Sequence, residues 1–149
     1  KLIIDALVLA KQGQDQCSST IGQLIALRMG ERGLIAKQTA VAIEVYRRKR
    51  DVTLAALENT MPKQIDWVRP DGGFYTWLTL PQGIDTTLEL ERIVEEESVA
   101  YVPGSAFHHA RKAKNHLRLC YSFVADSIIE EGIARIARFF TRRLNRDAA

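Results

Sequence analysis

Hydrophobic residues change their spacing along the 149-residue chain, and the changes divide it into helical and extended stretches. Residues 2–11 read as a helix in which Leu2, Ile3, Ala6, Leu7, Leu9 and Ala10 cover most of the circumference and leave almost no polar face. Gln12, Gly13 and Gln14 loosen it, and Ser18 or Ser19 is placed to cap a second helix running to Met29, whose end Gly30 and Gly33 bracket. From residue 36 to residue 60 neither Pro nor Gly interrupts. Val41, Val45, Val52, Ala55 and Ala56 recur there near helical spacing, with Glu44 and Arg48 as an i,i+4 pair, until Pro62 stops the helix.

Beyond Pro62 the period shortens to that of strands. Residues 65–69 and 74–80 flank Pro70-Asp71-Gly72-Gly73, a composition that predicts a tight reversal and hence a hairpin. Phe74, Thr76, Leu78 and Leu80 alternate with Tyr75, Trp77 and Thr79, so both faces of the second strand carry bulk and it is expected inside a sheet. Thr86 with Glu89 forms a capping box for a helix reaching Glu97, with Leu90, Ile93 and Val94 as its buried stripe. Residues 99–102 predict a short strand closed by Pro103-Gly104, and residues 105–115 predict a loop. Residues 117–123 alternate strictly, with Leu117, Leu119, Tyr121 and Phe123 on one face and Arg118, Cys120 and Ser122 on the other. Asp126 is expected to cap a last helix, where Ile129, Ile133, Ile136, Phe140 and Leu144 form an apolar stripe and Glu131, Arg135, Arg138 and Arg142 the outer face. The order predicts an α+β, two-layer fold: a small mixed, largely antiparallel sheet with helices packed on one face.

Composition narrows the class. With 46% hydrophobic and 26% charged residues the chain has the makings of one sizeable core. A net charge of +3 is too mild to demand a polyanion. The run Arg47-Arg48-Lys49-Arg50 reads as a solvated helix face, with a nucleic-acid patch as the lesser alternative. Cys17 and Cys120 fit neither a metal-ligand spacing nor a disulfide framework and are expected as reduced thiols in the cytoplasm. His108, His109 and His116 have no Cys or acid at ligand spacing, so no metal is expected. No apolar run approaches the roughly 20 residues that span a bilayer. The chain opens without Met inside a helical run and is expected to be part of something longer.

Arg118 is the charge whose position bears on chemistry. A guanidinium in mid-strand offers a planar fork that fits a carboxylate with two parallel hydrogen bonds, each worth roughly 1.5–3 kcal/mol in a sheltered site. A small carboxylic acid would suit it. The pattern alone leaves open a structural ion pair or an edge-strand Arg facing water.

The motifs PDGGFYTWLTLP, VAYVPGSAF, NHLRLCYS and EEGIARIA, in this order and spacing, resemble the C-terminal small domain of class I/II aminotransferases, pyridoxal-phosphate (PLP) enzymes of fold type I. Within that family the chain is most similar to the branch of 2-aminoadipate-type and kynurenine-type aminotransferases and of GntR/MocR-type regulators. The resemblance implies that Arg118 binds the substrate's carboxylate. It implies that Gly72 and Gly73 allow close backbone packing at the active-site border, where Pro103, Gly104 and Phe107 form the turn before a bordering loop. Ser98 departs from the Gly usual at that helix end, and residues 110–114 lack the loop's usual glycines, which leaves the loop's conformation open.

The same resemblance places the lysine that anchors PLP, the Asp that pairs with its pyridine nitrogen and the phosphate-binding residues upstream of this segment. The implied organisation is a trailing helix of the cofactor domain or a connector over residues 1–15 and the small domain over residues 16–149. PLP and an amino-acid/2-oxo-acid substrate are then expected in the parent protein, and no cofactor, catalytic residue or metal on this chain alone. The implied partners are its own cofactor domain and a second subunit in a homodimer. An alternative parent is a PLP-responsive regulator that senses a ligand with the same fold and binds DNA elsewhere.

Overall fold

The computed structural model describes residues 1–15, 17–110 and 112–147, and they form two compact units, Lys1–Ile43 and Glu44–Ala149. In the first unit α1 (Leu2–Gln14) runs through Gly13, past the expected loosening. Ser19 caps α2 (Thr20–Glu31), its hydroxyl accepting from the Gly22 N–H at 3.3 Å. Gly33, at φ 67°, turns the chain into α3 (Leu34–Thr60), which crosses the boundary between the units. Neither α1 nor α2 buries a single residue.

The second unit is built on a four-stranded sheet in the order β1-β2-β4-β3, antiparallel throughout: β1 (Asp66–Trp67), β2 (Tyr75–Thr79), β3 (Val102–Pro103) and β4 (His116–Cys120). Its buried face contributes Thr76, Leu78, Leu117 and Leu119. Leu57 of α3, Ile93 of α4 (Thr86–Glu97) and Ile129, Ile133, Ile136, Phe139 and Phe140 of α5 (Asp126–Asp147) complete one core cluster with the three leucines. The apolar stripe read along the last helix is thus its core side. Leu78, Ile93, Leu117 and Phe140 are fully buried, each removal from water being worth roughly 1.5–3 kcal/mol.

Several local expectations give way to tertiary contacts. Asp85, not Thr86, caps α4, accepting from the Thr87 N–H at 3.0 Å. The Thr86 hydroxyl is taken by the carbonyls of Lys114 and His116 at 2.9 and 2.7 Å, and Glu89 pairs with Arg92 and Arg143. Val94 is exposed; Glu89 and Glu97 share the buried side with Ile93 because arginines of α5 meet them there. Asp126 is the first residue of α5 and pairs with Arg48 at 3.0 Å, so Glu44 pairs with Arg47 instead. Lys49, expected on a solvated face, is buried and donates to the Val124 carbonyl, and Arg50 donates to the Asp71 carbonyl at 2.9 Å. The hairpin connection is longer than a tight turn, since β1 ends at Trp67 and β2 begins at Tyr75. Pairing of β4 stops at Cys120, which leaves Phe123 94% exposed. Residues 104–107 wind into one 3-10 turn within the expected loop, and Arg111 of that loop lies outside the described residues.

Candidate functional site

Alternation along β4 sends Leu117 and Leu119 into the core and therefore sends Arg118 to the opposite face of the sheet. There Arg118 stands directly across from Trp77 on β2 and from Val102 on β3. Tyr75, two residues before Trp77, shares that face on the diagonal. The guanidinium carbon lies 3.9 Å from the Tyr75 ring centroid and 4.4 Å from that of Phe107. Trp77 meets the Phe107 ring edge-on at 5.7 Å and stacks on His116 at 5.7 Å, and His116 Nδ1 shares a 3.1 Å hydrogen bond with the Thr79 hydroxyl.

Backbone geometry fixes the ring that comes from outside the sheet. Phe107 ends the 3-10 turn Gly104–Phe107, which Pro103 introduces at φ −60° while paired with Leu117. A Cβ on Gly104 would fall 2.6 Å from the Ala113 carbonyl oxygen and 2.6 Å from the His116 Cβ, so the turn packs directly on the start of β4. That start is itself anchored, because the Thr86 hydroxyl holds two of its carbonyls and Asn115 exchanges hydrogen bonds with the Leu80 backbone at 2.8 and 2.6 Å.

The electrostatics of Arg118 differ from those of the paired arginines of the second unit. Arg138 and Arg142 bind Glu97, Arg143 and Arg92 bind Glu89, and Arg48 binds Asp126. Arg118 has no ion pair among the described residues, and its Nε is buried without a hydrogen-bond partner. A cation touching two rings, with no acidic partner among the described residues and a buried donor unfilled, is suited to an incoming anion.

The other residues singled out in the sequence lie at various distances from this centre. Pro103, Gly104 and Phe107 join it through the turn. Gly72 and Gly73 lie in the connection before β2, where Gly73 adopts φ 86° and its carbonyl accepts from the Tyr121 hydroxyl at 3.2 Å. A Cβ on either glycine would meet nothing within 4 Å, so within this chain it is the dihedral of Gly73, not close packing, that asks for glycine. His108 and His109 stack on each other, while His116 belongs to the Trp77 cluster. Tyr75, Trp77 and His116 escaped the sequence reading. The alternation in β2 already put Tyr75 and Trp77 on one face, but nothing local says that this face meets Arg118.

No family model matches the chain. Individual proteins do. Aromatic-amino-acid aminotransferase 1 of Thermococcus litoralis is 46% identical over 134 residues, covering 90% of this chain and 32% of its own length. The 2-aminoadipate transaminase of Thermus thermophilus is 34% identical over 135 residues, covering 91% of this chain and 34% of its own length. Among solved structures, the multiple substrate aminotransferase of Thermococcus profundus superposes with a TM-score of 0.87 at 42% identity, over 93% of this chain and 34% of that one. The chain spans about a third of the length of the curated relatives it matches. It belongs to the class I/II, fold type I aminotransferases, as the C-terminal part of that architecture.

Proposed function

We propose that the full-length protein is a PLP-dependent amino-acid aminotransferase and that this chain supplies its substrate-carboxylate anchor, Arg118. The observation that carries the reading is the Arg118 guanidinium itself, flanked by Tyr75 and Phe107 and free of any acidic partner among the described residues. A carboxylate arriving there fills the donors that the domain leaves open, and its recognition by a planar fork fixes the orientation of the amino acid. Phe107, Gly104 and Pro103 border the anchor on one side, and Gly72 and Gly73 shape the connection that leads into Tyr75.

PLP, when bound to the parent protein, supplies the electron sink for amino-group transfer. The strands around Arg118, YTWLT and HLRLC, carry no lysine, and the buried Lys49 is committed to the Val124 carbonyl. In this reading, as the family resemblance implies, the cofactor-anchoring lysine belongs to the remaining two thirds of the architecture, and this chain alone neither binds PLP nor catalyses. In this reading residues 1–15 trail from the cofactor domain or connect to it, residues 16–149 are the small domain, and the parent is a cytoplasmic homodimer. No helix among the described residues is long and apolar enough to cross a membrane.

The test is Arg118→Lys in the full-length protein, which keeps the charge and loses the fork. Loss of one charge-assisted bond raises the apparent KM for amino acids by roughly tenfold or more. Wild-type kinetics for several amino acids would overturn the anchor. A DNA-binding winged-helix module directly upstream, without transaminase activity, would overturn the enzyme in favour of a regulator.

A further inference from the structure

We propose that Tyr75 and Phe107 are positioning residues for the Arg118 anchor: their rings hold the guanidinium in place without neutralising it. This rests on the carboxylate-binding role of Arg118.

A cation on a sheet face is usually fixed by a carboxylate, but a built-in carboxylate would occupy the donors that a substrate needs and cancel the charge that attracts it. The arginines between α4 and α5 are fixed in that way, by Glu89 and Glu97. Arg118 is treated differently. Its guanidinium carbon sits over two aromatic rings at 3.9 and 4.4 Å, inside the range of cation–π attraction, and that attraction consumes no N–H donor.

The two rings approach from the two sides of β4. Tyr75 comes from β2, and Phe107 from the turn that follows β3. They are also braced together, because Trp77 packs its ring against Phe107 and stands on the same strand face as Tyr75. The rings do not serve the core of this domain: neither Tyr75 nor Phe107 belongs to its core cluster. Two large aromatic side chains from different elements both touch one cation that has no acidic partner among the described residues, which is accounted for by what they do to that cation. They restrict the rotamers of a long flexible side chain and leave its donors to the ligand.

The experiment compares Tyr75→Leu/Phe107→Leu with wild type in the full-length protein. The double variant should raise the apparent KM for amino acids roughly five- to tenfold and leave kcat within about twofold, because a loosened anchor weakens ground-state and transition-state binding alike. Tyr75→Phe and Phe107→Trp keep a ring at each position and should restore the wild-type KM, which a change of bulk packing would not follow. Should the double variant melt early, the single replacements carry the same comparison. Unchanged KM in the ring-less variants, alongside a raised KM in Arg118→Lys, would overturn the positioning role and leave the anchor standing. Unchanged KM in Arg118→Lys as well would remove the anchor and this inference with it.

Discussion

Gly104 and His116 touch with no room between them: a Cβ built on Gly104 falls 2.6 Å from the His116 Cβ and 2.9 Å from the His116 carbonyl oxygen. Arg118 follows His116 by two residues and Phe107 follows Gly104 by three, so this contact sets the spacing at which ring meets guanidinium.

Gly104→Ala should therefore destabilise the chain by roughly 1–3 kcal/mol, the usual cost of forcing an extra methyl into packed surroundings. Gly72→Ala is the control, since nothing lies within 4 Å of its Cβ position and its φ is not in the left-handed region. It should change stability by less than about 0.5 kcal/mol. Denaturant titration of the two variants checks the pair. Equal midpoints would mean that the turn yields at no cost.

Ser98 ends α4 in the left-handed conformation, φ 53° and ψ 39°, where a side chain is strained and glycine is not. The family resemblance implies Gly at this helix end, and Ser98 adopts the backbone conformation that glycine favours. Ser98→Gly should stabilise the domain by about 0.5–1 kcal/mol, the relief at the helix end exceeding the extra freedom of the unfolded chain. Thermal melting reads this directly. A lower melting temperature would show that Ser98 contributes a contact outweighing its strain.

Glu97 receives the Arg138 fork at 2.7 to 3.3 Å and Arg142 at 2.8 Å, and its carbonyl accepts from Arg135 at 3.1 Å. The Arg138 hydrogen bonds chiefly hold its carboxyl below the ordinary 4.5; burial opposes them and Arg142 adds to the lowering. The folded state thus binds the proton more weakly than the unfolded one. This contribution is fully present above about pH 4.5 and disappears as pH falls through the folded value. Glu97→Gln should lose roughly 1–2 kcal/mol at pH 7, no more, because Arg138 and Arg142 are 55% and 42% exposed and water screens them. Its stability should also fall less steeply than that of wild type below pH 4.5. Parallel pH profiles would refute the pairing.

The 149-residue chain should self-associate in solution. Leu2, Ile3, Leu9 and Ile21 are 87%, 77%, 69% and 72% exposed, and α1 has almost no polar face to turn toward water. Covering three such side chains is worth roughly 4–9 kcal/mol before ordering costs. Sedimentation should show weight rising with concentration, and deletion of residues 1–12 should reduce it. A monomer from micromolar to millimolar, unaffected by the deletion, would refute this.

Where a segment's environment follows from its own periodicity, the sequence was sufficient. The apolar stripe of α5 and the two faces of β4 are local patterns, and the buried residues Ile129 to Phe140 and Leu117 to Tyr121 match them, while Phe123, beyond the last paired residue of β4, does not. Arg118 was legible for the same reason, and its neighbours in the LRL motif marked the family. Apart from Ser19 at the start of α2, what the pattern did not settle was a polar group's partner. The hydroxyl of Thr86 was open to its own helix or to a distant carbonyl, and only the path of residues 114–116 decided that it would bind there and leave the cap to Asp85. Lys49 lay in a basic run and was buried all the same, because the Val124 carbonyl comes within reach of its ammonium. The ring pair around Arg118 depends on the register of β2 against β4 and on a turn closed at Gly104, contacts between residues some 10 to 45 positions apart in sequence. Hydrophobic periodicity states which side of an element is buried; which donor meets which acceptor, and which ring meets which cation, is fixed only when elements remote in the chain are brought into register.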